Sequence, residues 1–158
     1  MKKLGLYEWS IFLFFLILPC VAILFEVFTI SSSPPFSYIA LKWFVFSGIG
    51  LRLGSAGLKQ IIQPKFTAKE IFRSESDVAI PIIRELGFSN ISFAVIALLS
   101  LFVPTFRMPA AIAGGLYFGL AGLLHVIKPK ESRKEIFAMI SDLFIFWVLL
   151  ILMIINML

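Results

Sequence analysis

The chain has 158 residues, of which 60% are hydrophobic and only 15% charged, with a formal net charge of +5 and a mean hydropathy of +1.02. Soluble domains of this size are about half apolar and about a quarter charged, which excludes a water-soluble globule. A single Cys and a single His exclude a disulfide framework, a zinc centre and paired-histidine haem ligation, so neither a metal nor another cofactor is expected.

Five apolar stretches of roughly 20 residues follow one another, at about 9–30, 39–62, 82–103, 108–127 and 136–157. None alternates in the period-2 manner of barrel strands. The expected fold is therefore an all-α integral membrane protein of five transmembrane helices. The first span has a basic start (Lys2, Lys3) but no small-x-small cleavage site after it, so it is expected to be a retained helix rather than a signal peptide. Pro19 removes a helical hydrogen bond and predicts a kink there. Glu26, near the outer end, is expected to reach water.

The second span carries two faces. Gly50, Gly54 and Gly57 line one, where small residues let another helix approach closely. Arg52, Ser55, Lys59 and Gln63 fall on the opposite stripe. Pro64 ends the span, Thr67-x-x-Glu70 reads as a capping box, and residues 68–78 are too polar to enter the bilayer, predicting a surface helix with Lys65, Lys69 and Arg73 toward headgroups. Pro81 opens the third span, whose polar stripe is Glu85, Ser89 and Ser92, with Arg84 and Asn90 beside it. The fourth span repeats the glycine face at Gly115, Gly119 and Gly122 and ends in His125. The fifth begins after a second capping box, Ser132-x-x-Glu135, and carries Asp142 alone in apolar sequence, a candidate proton site.

The chain is an internal duplication. Gly50–Phe72 aligns without a gap on Gly115–Phe137, with 13 of 23 positions identical, including the tail Pro-Lys-x-x-x-Lys-Glu-Ile-Phe. Both copies run in the same direction through the membrane, so the spans form two parallel helix hairpins related by an axis along the membrane normal. The glycine faces are expected to meet across that axis. One membrane domain, 1–158, divides into a first span and outer loop (1–37), a first copy (38–107) and a second copy (108–158).

Lys and Arg concentrate in loops on one side, at Lys2, Lys3, Lys59, Lys65, Lys69, Arg73, Lys128, Lys130, Arg133 and Lys134, leaving Lys42 and Arg107 on the other. This places the N-terminus in the cytoplasm and the C-terminus outside, in a bacterial inner membrane. Membrane lipids are the expected partners, through attraction of the basic loops to anionic headgroups, and nucleic acid need not be invoked.

Where the copies differ points to chemistry. Arg52 falls near the bilayer midplane, and Lys59 lies about 10 Å further in, level with Glu85 of the antiparallel third span. A Lys59–Glu85 pair is expected, with Arg52 reaching toward Glu85 or Ser89. In the second copy the stripe becomes Tyr117, Leu120, Leu124 and Lys128, which reads as a lipid-facing surface. Ionisable groups at membrane depth cost at least about 2.5–3.5 kcal/mol and mark candidate sites. Arg52, Ser55, Lys59, Glu85, Ser89, Asn90, Ser92 and His125 are therefore candidates for binding a small anionic or amphipathic ligand or a lipid headgroup; a structural ion pair is the competing reading. His125 matches Gln60, and both can hydrogen bond between helices. No Walker loop, dinucleotide fingerprint, G-x-S-x-G or H-E-x-x-H occurs, and no catalytic residue is assigned.

The run Pro81-Ile-Ile-Arg-Glu-Leu-Gly-Phe-Ser-Asn90, followed by a small-residue span ending in His125, resembles a family of small polytopic bacterial membrane proteins of unknown function, itself similar to the DoxX-type four-helix membrane proteins. The resemblance rests on Pro81, Glu85, Gly87, Asn90 and His125 and covers roughly residues 45–127. It implies a four-helix core plus one span. The family often carries His where this chain has Gln60, so a paired-histidine role does not transfer. Three functions are expected in order: a lipid- or small-ligand-binding protein, as an accessory subunit or homo-oligomer; a small oligomeric transporter or channel; and a membrane enzyme acting on lipid or quinone through Glu85 and His125.

Overall fold

A computed structural model describes residues 5–30, 34–71, 74–128 and 133–158. The helices are α1 (Leu6–Thr29), α2 (Phe36–Ile62), α3 (Pro64–Glu70), α4 (Ala79–Leu99), α5 (Pro104–Ile127) and α6 (Arg133–Met157). All but α3 are long and apolar enough to cross a membrane, and no strand occurs among the described residues. The protein is an all-α integral membrane protein, with its spans within a few residues of those read from sequence.

The surface segment is shorter than its polarity predicts. Pro64 occupies the first turn of α3, because a proline that ends one helix is pre-set to begin the next. Thr67 therefore lies inside α3 rather than capping it, and the helix stops at Glu70 instead of running to residue 78. Glu70 turns away to pair with Lys134 of α6, joining the two copies. The Lys134 ammonium holds the Glu70 carboxyl below the usual carboxylate range, so this tie exists at neutral pH and is lost as pH falls through that lowered value. Ser132 of the second expected capping box lies outside the described residues.

The glycine faces do not meet across the pseudo-axis. Each serves its own hairpin: α2 packs on α4 and α5 on α6. A Cβ at Gly57 would stand 2.7 Å from the Gly87 carbonyl oxygen, and Gly50 lies against Leu98. In the second copy Gly119 lies against Phe146 and Gly122 against Leu143. Lipid supplies no hydrophobic drive between helices, so close approach goes to the contact each hairpin must make first. The hairpins then meet through other residues, Ile49 against Gly114 and Ile145 against Gly48, in a core with Val45 and Leu149 that is fully buried.

Helix α1 leans on this core through Phe15, whose ring meets that of Phe118 edge-on at 5.5 Å. The disturbance expected at Pro19 lies in the turn before it. Leu13–Ile17 is wound as π-helix, with the Leu18 N–H bonded to the Leu13 carbonyl. In that i→i+5 register the Phe14 carbonyl would look to residue 19, and proline has no N–H to give. The Ser47 hydroxyl donates to Phe14 O instead, at 2.5 Å, from the π-wound stretch Val45–Leu51 of α2.

Two stability results follow for unfolding in detergent micelles. Gly57→Ala drives a methyl into the Gly87 backbone and loses roughly 1–3 kcal/mol, whereas Gly115→Ala, whose nearest neighbour would be 3.7 Å away, holds or gains stability through helix propensity. Ser47→Ala strands the Phe14 carbonyl and costs roughly 1–3 kcal/mol; in a Pro19→Ala background, where a backbone N–H is restored, the cost shrinks. An equal cost in both backgrounds rejects this account of the π turn.

Candidate functional site

Between the two hairpins, on the half of the bundle that carries α3, lies a cavity of about 710 Å³. Its walls use equivalent positions of the two copies: Arg52 with Tyr117, Leu53 with Phe118, Ala56 with Ala121, and Gln60 with His125. The cavity therefore sits on the pseudo-axis. Helix α4 adds Leu86 and Asn90, α6 adds Glu135, Ala138 and Asp142, and α1 closes a corner with Tyr7.

The face of α2 that lines this space is rotated from the stripe read on the helical wheel. Gly50, Gly54 and Gly57 seat α4 on one side of α2; Arg52, Ala56 and Gln60 then point between the hairpins. Ser55 and Lys59 are left on the exposed side. In α4, Gly87 meets α2 and Asn90 turns inward, while Glu85, Ser89 and Ser92 are exposed. Of the residues singled out in the sequence, Arg52, Asn90, His125 and Asp142 are gathered into one cavity, and Ser55, Lys59, Glu85, Ser89 and Ser92 are not.

The exposed serines donate their hydroxyls to their own helices, Ser55 to Arg52 O at 2.9 Å, Ser89 to Glu85 O at 3.2 Å and Ser92 to Phe88 O at 3.0 Å. A hydroxyl satisfied in this way needs no polar neighbour. Lys59 stands 3.7 Å over the Phe66 ring of α3, and the expected Lys59–Glu85 pair does not form among the described residues. Conversely, Tyr117, Leu120, Leu124 and Lys128, read as a lipid-facing stripe, all line the cavity.

Inside, Arg52 is held by π contact, its guanidinium carbon 5.5 Å from the Tyr7 ring. Its Nε is buried with no hydrogen-bond partner among the described residues, and the same is true of Asn90 Oδ1. Asn90 Nδ2 donates to Gln60 Oε1 at 2.8 Å, which fixes the amide across the α2–α4 contact. Asp142 shares the cavity with Arg52, His125 and Asn90, yet no direct ion pair joins it to Arg52 among the described residues. The result is a polar floor with donor and acceptor capacity unspent, under walls of Leu53, Leu86, Phe118 and Leu124.

A second polar group at the opposite end of the bundle escaped the sequence reading. Glu26, expected in water, is buried; it pairs with Lys42 of α2 and accepts from Trp43 Nε1 at 2.6 Å. Lys42 also lies over the Trp43 ring, and the buried Arg107 stacks 4.2 Å from the Tyr38 ring. The signal was available in the near-equal depth of Glu26 and Lys42 on consecutive antiparallel spans. The arrangement ties α1, α2 and α5 together, with Arg107 Nε and Nη1 left without a hydrogen-bond partner among the described residues.

The chain belongs to DUF6790, a family of unknown function, which it matches over residues 9–158. The DUF6790 match takes in the membrane-spanning helices apart from the first residues of α1, so the Glu26–Lys42–Arg107 cluster and every cavity-lining residue except Tyr7 fall within the family's unit. No curated protein and no solved structure matches the chain.

Removing one member of a buried ion pair leaves the other uncompensated, at roughly 3–5 kcal/mol, while replacing both is close to neutral. Glu26→Leu is therefore expected to lower unfolding stability strongly, and Glu26→Leu with Lys42→Met to recover most of the loss. Chemical denaturation of the two variants in micelles measures the difference.

Proposed function

We propose that this protein binds an amphipathic molecule with an anionic head in the cavity between its hairpins. The observation that carries the reading is Arg52: a cation near the middle of a membrane span, lining a space of about 710 Å³, with a buried Nε that has no hydrogen-bond partner among the described residues. A buried donor without a partner is costly, and a phosphate or carboxylate oxygen supplies one. Asn90 and Tyr117 stand beside it for the polar parts of a head, and the apolar walls suit a hydrocarbon portion. The volume falls in the range of roughly 300–1,000 Å³ usual for small-molecule sites.

Two features favour binding over the alternatives. Past Arg52 the axis is filled by Val45, Ile49, Ile145 and Leu149, all fully buried, which supports a blind pocket rather than a conducting path. Glu85 is exposed on α4 while His125 lines the cavity, which removes the geometry an acid–base pair of these two requires. The excess of Lys and Arg in loops at the α3 end supports a cytoplasmic N-terminus, a cavity reached from the cytoplasmic leaflet and an inner-membrane location. A core of α2, α4, α5 and α6 with α1 added is the architecture that the resemblance to DoxX-type proteins implies.

Native mass spectrometry of the protein released from nanodiscs of mixed phosphatidylglycerol and phosphatidylcholine tests the site. Wild type is expected to retain phosphatidylglycerol, and Arg52→Leu to reduce that retention at least tenfold, about 1.4 kcal/mol. Lys59→Ala and Glu85→Gln, outside the cavity, are expected to leave it unchanged. Full retention by a folded Arg52→Leu protein defeats the reading.

A further inference from the structure

Beside the central cavity lies a second space with the opposite character. A groove of about 230 Å³ runs between α1 and α6, lined by Ile11, Phe12, Phe15 and Leu16 on one side and by Phe137, Ile140, Ser141 and Phe144 on the other. Its one polar side chain, Ser141, gives its hydroxyl to Ala138 O at 2.8 Å, so the groove presents no free hydrogen-bonding group of its own.

The two spaces are neighbours on the same helices. On α6, Phe137 and Ser141 face the groove while the next residues, Ala138 and Asp142, face the cavity. On α1, Tyr7 lines the cavity and Ile11, one turn further along, lines the groove. Phe15, which lines the groove, and Phe118, which lines the cavity, are in edge-on contact, so the two spaces meet at this aromatic pair. A polar chamber thus adjoins an apolar slot on the outer side of the bundle, where Leu16 and Ile140 are 39% and 58% exposed. A molecule that is polar at one end and hydrocarbon at the other matches that sequence of surfaces.

We infer that the groove carries an acyl chain of the cavity's ligand, so that the occupant is a membrane lipid whose head is held between the hairpins and whose chain leaves sideways between α1 and α6. This rests on the reading of the cavity as a binding site and adds the ligand class and its path. The first span then acts as one wall of a lateral portal, a role that neither duplicated hairpin can supply alone.

The test uses phosphatidylglycerol bearing a diazirine in its acyl chain, incorporated into phosphatidylcholine nanodiscs with the full-length protein, illuminated and mapped by peptide mass spectrometry. Adducts are expected to concentrate on the peptides around Ile11–Leu16 and Phe137–Phe144. Ile140→Trp fills the slot from a lipid-exposed position that tolerates a large side chain, and is expected to lower those adducts at least tenfold; Leu16→Trp does the same from the facing helix. Adducts spread evenly over all lipid-facing helices, or unchanged in both Trp variants, overturn the chain path and leave the cavity reading standing. Groove adducts that persist in full in Arg52→Leu overturn the cavity reading, and with it the joint occupancy.

Discussion

Close helix approach through glycine is the constraint from which the rest of this bundle follows. In hydrocarbon there is no water to expel, so helices associate by packing, and packing is tightest where side chains are absent. Gly57 against the Gly87 backbone, and Gly122 against Leu143, lock each hairpin internally. With the repeat glycines used inside the hairpins, the surface between the hairpins is left to larger side chains and to the pair Gly48 and Gly114. At one end Ile49 fits Gly114 and the seam closes. At the other, equivalent positions carry Arg52 and Tyr117, which cannot interdigitate, and the seam opens into the cavity.

The first span has no counterpart in the duplication, and it makes the molecule asymmetric. Its π turn and the Ser47–Phe14 hydrogen bond anchor α1 to α2 near the bundle centre. Phe15 then reaches Phe118 behind the cavity. Between α1 and α6 the Phe12 and Phe137 rings meet at 5.4 Å, and the apolar groove is left beside this contact. One missing N–H, at Pro19, thus accounts for the position of the contact on which this asymmetry turns.

The two ends of the bundle treat charge differently. Glu26, Lys42 and Trp43 satisfy one another, with Arg107 stacked on Tyr38 nearby, and the chain there is tied shut. Arg52, Asn90 and Asp142 leave capacity unspent around a space. Both sets hold ionisable residues within or at the ends of the spans, yet the sequence marked only the second as a candidate site, placing Glu26 in water. Arg107 Nε and Nη1 are as unpartnered among the described residues as Arg52 Nε, so what singles out Arg52 is the cavity that it lines together with Asn90 and Asp142.

The spans, the helical class, the duplication and the role of glycine in packing were legible in the chain, because each depends on composition or on local spacing. That Arg52, Asn90, His125 and Asp142 would be drawn toward one another was legible too, since an ionisable or amide group in an apolar span must find company. Which residues keep that company was not. A helical wheel gives the angle between side chains but not which neighbour fills each sector, so Ser55, Lys59, Glu85, Ser89 and Ser92 read as one site with Arg52. Serine hydroxyls can satisfy themselves on their own helix and face outward, and a lysine can lie over an aromatic ring. The lipid-like stripe Tyr117, Leu120, Leu124 and Lys128 lines the cavity for the same reason: apolar residues facing lipid and facing a pocket are the same residues. The sequence by itself determined the spans, the repeat and the residues that needed partners; the tertiary structure alone decided that the repeat glycines pack within hairpins, and therefore that Arg52 and Tyr117 meet between them.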